Sequence, residues 1–182
     1  MTRQCLPHMF RGGYGRVVCM GPPLPTSYRA YAGKTAYYMS KCGMTMVALG
    51  AAAEAVGVVG ENVDFAGNSL WPATIVESLA SENFQLGERR YWRKATILAD
   101  CVTQLCAPNA AVTGRALVDD EYLRSVGATD DDLARYRCDP AFEPPRLLAG
   151  TDVTGVTTGG GDWDVRRGDV RSLSRDKARS KL

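Results

Sequence analysis

The chain has 182 residues, 45% of them hydrophobic and 23% charged, with a formal net charge of +2. That suits one core plus an appendage, and the near balance of charge points to no polyanionic partner. A single histidine, His8, excludes a multi-histidine zinc site and argues against a Ser-His-Asp triad. Six cysteines, at 5, 19, 42, 101, 106 and 138, are irregularly spaced in apolar stretches with no CxxC pair. They read as reduced, buried thiols of an intracellular compartment rather than a disulfide framework. No apolar h-region opens the sequence and no run of about 18 apolar residues interrupts it, so neither a secretory signal nor a membrane span is expected.

In chain order, residues 1–10 read as the end of a helix, and "RGGYG" turns into a short β-branched strand, "RVVCM", at 16–20. "GPPLPTS" is a rigid loop, because proline continues neither a strand ladder nor a helix interior. The longest helical pattern runs from about Lys34 to Val56 and ends at Gly57 or Gly60. Its small residues, Gly43, Gly50 and Ala51–Ala53, let another helix approach closely. A second strand is expected at 63–70, stopped by "WPAT", then a short helix and loop at 74–86. "ERRYWRKATILADCVTQLCAP" gives a helix, amphipathic from about 95 to 106, with Pro108 beyond its end. A third strand falls at 115–118, and a short helix at 128–135 has Thr129 as N-cap and Asp130–Asp132 in its first turn. Strand, helix, strand, helix, strand predicts an α/β domain with a parallel sheet, occupying residues 1–148. Residues 149–182 are Gly/Thr-rich and then charged, and read as a flexible tail. Its local excess of Arg and Lys is that of a solvated segment, and no nucleic-acid partner is expected.

The chemistry concentrates in "TAYYMSKCGMTM" at 35–46. Tyr37 and Lys41 stand at i and i+4, on one helical face. An ammonium within about 4–6 Å favours a phenolate, which brings a tyrosine into the range of acid–base catalysis near neutral pH. A lysine also has three donors for a sugar hydroxyl. The alternative is an incidental pair on an exposed helix. Tyr38 competes for the role, but its i+4 neighbour is Cys42, which carries no charge.

"CLP" at 5–7, "GPPL" at 21–24, "AYYMSKCGMTM" at 36–46, "NSLWPAT" at 68–74, "RKATILAD" at 93–100 and "VTGRALVDDEYL" at 112–123 occur in this order and spacing. Over residues 4–145 the chain resembles the C-terminal half of a short-chain dehydrogenase/reductase. The resemblance implies half of a doubly wound, Rossmann-type parallel sheet. It implies NAD or NADP as cofactor and hydride transfer on a carbonyl or hydroxyl of a lipid-like small molecule. It casts Tyr37 as the catalytic acid/base and Lys41 as the residue that promotes its ionisation and holds the nicotinamide ribose. Pro72, Ala73, Thr74 and Ile75 would line the nicotinamide pocket, with Ala73 in place of the family's glycine. It also implies pairing through the tyrosine helix, with a second copy or a full-length homologue.

Three departures follow from the same resemblance. Gly21 and Pro22 occupy the place of the substrate-orienting serine, for which Thr26 or Ser27 are candidate substitutes. The family's helix asparagine would precede residue 1. So would the βαβ unit whose TGxxxGxG turn holds the pyrophosphate. "GGYG" at 12–15 precedes a strand instead of following one. "TGVTTGGG" at 154–161 fits the pattern, but too few residues follow it to build the unit. The expectation is a truncated dehydrogenase, inactive and poorly soluble or oligomeric in isolation, or a non-enzymatic homologue that binds a full-length one through the Tyr37 helix. Finally, Ser180-Lys181-Leu182 matches the tripeptide read by the peroxisomal import receptor, which predicts delivery to peroxisomes or a related organelle.

Overall fold

The computed structural model describes residues 1–21, 31, 33–60, 63–109 and 112–146. The expected tail at 149–182, its glycine cluster, its terminal tripeptide, and Pro22, Thr26 and Ser27 all lie outside these residues.

Parallel strands need a crossover between them, and the chain supplies it with its longest apolar segment. Helix α1 (Thr2–Gly12) ends at Gly13, whose left-handed φ of 73° turns the chain into β1 (Tyr14–Met20). Helix α2 (Thr35–Val59) carries the chain back to β2 (Asp64–Trp71), which pairs with β1 in parallel from Tyr14↔Asp64 to Met20↔Leu70. The third strand, β5 (Ala116–Val118), pairs with β2 in parallel, giving the order β1-β2-β5. Among the described residues β1 pairs with β2 alone, so its outer edge has no strand beside it.

The central strand is covered on both faces, and Ala66 to Leu70 are all buried. On one face, Ala48, Ala51, Ala52 and Ala55 of α2 pack down on the sheet, with Val17 inward and Leu6, Met9 and Phe65 at the margin. The approach is close because β2 has no side chain at Gly67: a Cβ there would lie 2.4 Å from the Ala48 carbonyl oxygen. On the other face, Leu70 packs with Ile97, Cys101 and Leu105 of α4 (Thr96–Leu105) and with Tyr122 and Leu123 of α5 (Asp119–Ser125). Val18 and Met20 join this core while Val17 and Cys19 face α2, the alternation a strand imposes.

Between β2 and α4 the chain forms a small lobe. It contains β3 (Ile75–Val76), α3 (Leu79–Asn83), a 3-10 turn at Arg89–Tyr91 and β4 (Trp92–Arg93). β3 and β4 pair in parallel, Ile75↔Trp92 and Val76↔Arg93. Helix α6 (Asp130–Ala134) begins on a reciprocal cap: the Thr129 hydroxyl accepts from the Asp132 N–H, and the Asp132 carboxylate accepts from the Thr129 N–H.

The strands at 16–20, 63–70 and 115–118 and the helices at 34–56, 95–106 and 128–135 are therefore present, within a few residues of their expected ends. Four findings differ from these expectations or add to them. The segment 74–86 begins with a strand, and residues 119–125 are helical. Of the six cysteines, all free thiols, only Cys101 is buried and the other five are half-buried. And α2 is long and apolar enough to cross a membrane, with a mean hydropathy of 1.7 over its best window. Its alanine face packs on Gly67 and makes it the cover of the sheet.

Candidate active site at the carboxyl ends of the strands

In open α/β sheets, ligands bind beyond the carboxyl ends of the strands. The first turns of α2 lie at that end. Tyr37 and Tyr38 meet edge to face with ring centroids 5.5 Å apart, and Tyr31 packs on Tyr38 at 5.2 Å. One turn on, the Lys41 ammonium donates to the carbonyl of Met20, the last residue of β1, at 3.3 Å. The same ammonium is 6.0 Å from the centre of the Tyr37 ring. The two sequence-selected side chains are thus brought together, and Lys41 is tied to the strand end. Tyr37 keeps 39% of its surface exposed.

A second turn of α2 reaches the end of β2. The hydroxyls of Thr45 and Ser69 are 2.9 Å apart, Ser69 lies 3.2 Å from the Cys19 carbonyl, and the Trp71 indole N–H donates to Ser69 at 2.9 Å. Gly21 sits among them, buried; its N–H donates to the Leu70 carbonyl and continues the ladder. A Cβ at this position would stand 3.2 Å from Thr45 Oγ1 and 3.5 Å from Ser69 Oγ. The place aligned with the family's serine is therefore packed by hydroxyls from two other elements.

The loop after β2 is held from below. Pro72 and Ile75 keep some exposed surface, whereas Ala73 and Thr74 are wholly buried. Direct contact with a nicotinamide would fall to the first pair, while the second pair anchors the loop. The Ala73 N–H donates to Asp119 Oδ1 at 3.0 Å, and Asp119 opens α5 directly after β5. Asp119 and its neighbour Asp120 are 0% and 1% exposed, beside Arg93 of β4 at 3%. Arg93 donates to Asp120 and to Glu143, and Arg146 donates to Asp120 and Glu121. Burial, with help from the charge on Asp120, pushes the Asp119 carboxyl up to about 6, against the pull of the Ala73 amide and Arg93. Sequence reading passed over this group. Its signal was available: two adjacent carboxylates directly after an apolar strand, in "ALVDDEYL".

Tyrosine, lysine and strand-end backbone suit the ribose and nicotinamide end of a dinucleotide. Among the described residues no glycine-rich turn leads from a strand into a helix, the element that cradles a pyrophosphate.

A tyrosine and a lysine one turn apart, at the carboxyl end of a parallel sheet, match the arrangement that the resemblance to short-chain dehydrogenases implies. No protein-family model matches the chain, but individual relatives do. It is 29% identical over 140 residues to "Hydroxysteroid dehydrogenase-like protein 2" of Danio rerio, covering 76% of this chain and 32% of that protein. The Homo sapiens protein of the same name is 26% identical over 148 residues, covering 81% and 34%. Among solved structures, a dehydrogenase from Xanthomonas campestris superposes with a TM-score of 0.66 at 32% identity, over 83% of this chain and 53% of that one. A short chain dehydrogenase from Mycobacterium thermoresistibile gives 0.64 at 29%, over 88% and 55%. The chain is therefore similar in sequence and fold to short-chain dehydrogenases. It spans about a third of the curated relatives and about half of the solved ones.

Proposed function

We propose that the chain forms the substrate side of an NAD(P)-dependent oxidoreductase acting on a carbonyl or hydroxyl of a lipid-like molecule. On this reading residues 1–148 are the partial dehydrogenase domain. The observation that carries this reading is the Lys41 bond to the Met20 carbonyl, which sets Tyr37 and Lys41 together at the end of β1. The nicotinamide supplies or accepts the hydride when bound. Tyr37 passes the proton to or from the substrate oxygen. Lys41 places positive charge beside the phenol and offers its remaining donors to the ribose. Pro72 and Ile75 would hold the nicotinamide on the loop that Ala73 and Thr74 anchor. In the full-length natural protein, Tyr37→Phe lowers turnover by about 10²–10⁴-fold with cofactor affinity nearly unchanged, whereas Lys41→Ala lowers both. Equal loss of cofactor affinity in the two variants would contradict these roles.

A second reading rests on α2. Met39 and Met46 are 70% and 66% exposed, and Gly43, Gly50 and Gly57 have open space beside them at seven-residue intervals. That stripe is a helix-packing seam for a second copy or a full-length homologue, and it serves a non-enzymatic, partner-binding protein as well as an enzyme. Co-purification of a homologue that Met46→Glu abolishes and Tyr37→Phe leaves intact favours the binding role. For location, Ser180-Lys181-Leu182 supports import into peroxisomes or a related organelle. Cytosolic fluorescence from a fusion with that tripeptide free at its end refutes it.

A further inference from the structure

Asp119 is a carboxylate placed inside the core. It is fully buried, and its two carboxylate oxygens are used unequally. Oδ1 accepts two backbone N–H groups, from Ala73 at 3.0 Å and from Asp120 at 2.7 Å. Oδ2 is buried with no hydrogen-bond partner among the described residues. A carboxylate that takes a desolvation penalty on one oxygen, and aims the other at the loop following β2, is placed for that loop. The loop is clamped at its far end as well. Val76 pairs with Arg93 across β3 and β4, and the Glu77 N–H donates to the Arg93 carbonyl at 2.8 Å. Arg93 in turn holds Asp120, the residue beside Asp119. The segment 73–77 is thus fastened at both ends to one buried ionic cluster.

We propose that Asp119 is the positioning residue of the 72–75 loop, fixing through the Ala73 amide the backbone that faces the nicotinamide, and making the order of that loop depend on pH. This rests on the cofactor reading given above. Protonation would place the hydrogen on Oδ2, the oxygen with no other partner. Oδ1 then accepts as a neutral carbonyl, and the bond from Ala73 loses its charge assistance. The titratable and charged groups on the elements packed around Asp119 set where this happens. Asp120 and Glu121 come from α5, Arg93 from β4 and Cys101 from α4, whose thiol donates to the Asp119 carbonyl. Arg146 and Glu143 come from the segment beyond α6. Burial and Asp120 favour the proton; the two amides and Arg93 oppose it, and the balance lies at about 6.

The test is residue-resolved amide hydrogen exchange on the full chain at pH 7.5 and 5, with Asp119→Asn and Asp119→Ala. In the unmodified chain the protection factor of the Ala73 amide falls about tenfold at the lower pH, the difference between a charge-assisted and a neutral bond. Asp119→Asn, which keeps an oxygen acceptor, shows intermediate protection that is the same at both pH values. Asp119→Ala removes the protection at Ala73 while the amides of β1 and β2 keep theirs. Equal protection at the two pH values in the unmodified chain, or full protection in Asp119→Ala, overturns the tie. NADH and NADPH titrations of the full-length natural protein separate this from the cofactor reading. Weaker binding in the Asn variant, with a pH dependence that is lost, supports the proposal. Loss of Ala73 protection with unchanged affinity for both dinucleotides upholds the tie and overturns its link to the cofactor.

Discussion

The two ends of the sheet handle buried charge in opposite ways. At the amino ends of the strands, Arg16 of β1 is buried to 4% exposure and uses all of its N–H donors. They go to the carbonyls of Gly15, Asp64, Leu105 and Ala107 and to the Asp64 carboxylate. The second Asp64 oxygen accepts the Asn109 N–H, and that amide, with Arg16, holds the carboxyl below its ordinary range. The Tyr14 hydroxyl donates to the Cys106 carbonyl beside it, so the C-terminus of α4 is fully stitched to β1. At the carboxyl ends, Arg93 Nε, Asp119 Oδ2 and Asp120 Oδ1 are buried without partners among the described residues. A saturated network specifies a structure; an unsaturated one retains polar groups whose state can change. The unsaturated end is the one that carries Tyr37, Lys41 and the 72–75 loop.

The comparison is broken most sharply at the saturated end. Arg16→Met leaves one Asp64 oxygen and three distant carbonyls without their buried donor, and gives the largest drop in the midpoint of a denaturant melt. A cost no greater than that of a surface substitution would mean the network is ornamental. Next comes pH. The folded Asp119 keeps its proton to about 6, while its ordinary value is 3.8. Between these values the folded state binds more protons than the unfolded one, so Asp119 makes stability fall as pH rises, by up to about 3 kcal/mol. Asp64 acts with the opposite sign: its stabilisation is present above the ordinary carboxylate range and is lost as pH falls through its lower folded value. Thermal melts of Asp119→Asn would lack the first slope, between about pH 4 and 6, and keep the second, which lies below about pH 4. Midway between the ends, Gly67→Ala forces a Cβ against the Ala48 carbonyl and costs about 2 kcal/mol by overpacking. Remote from both, Thr129→Ala removes the α6 cap and costs about 1 kcal/mol.

What could be read in advance follows the same division. The β-branched run at 16–20, the apolar length of α2 and the Thr129 cap are local signals, and each element is where its own residues put it. β3 and β4 have two residues each. They exist only because they pair with one another, and no local pattern announces such strands. Helix α5 opens with three acidic residues, which suits a helix N-terminus, yet the preceding strand and a polar turn explain the same letters. The Tyr37–Lys41 pair was legible because i, i+4 spacing is itself a contact. The Ala73–Asp119 bond joins residues 46 positions apart through a backbone N–H, which every residue but proline possesses. Nothing in the sequence of the loop distinguishes the amide that is held from those that are not.

The notch at Gly67 also bears on how the chain assembles. The groups that interlock there, Ala48, Ala52 and Gly67, belong to one helix and the strand that follows it, with β1 directly before. Their closure spans a short stretch of chain and costs little loop entropy, so β1, α2 and β2 can lock before β5, α4 and the ionic clusters at either end exist. In that order the Tyr37–Lys41 part of the candidate site is set with the crossover, whereas the 72–75 loop waits for Asp119 of α5.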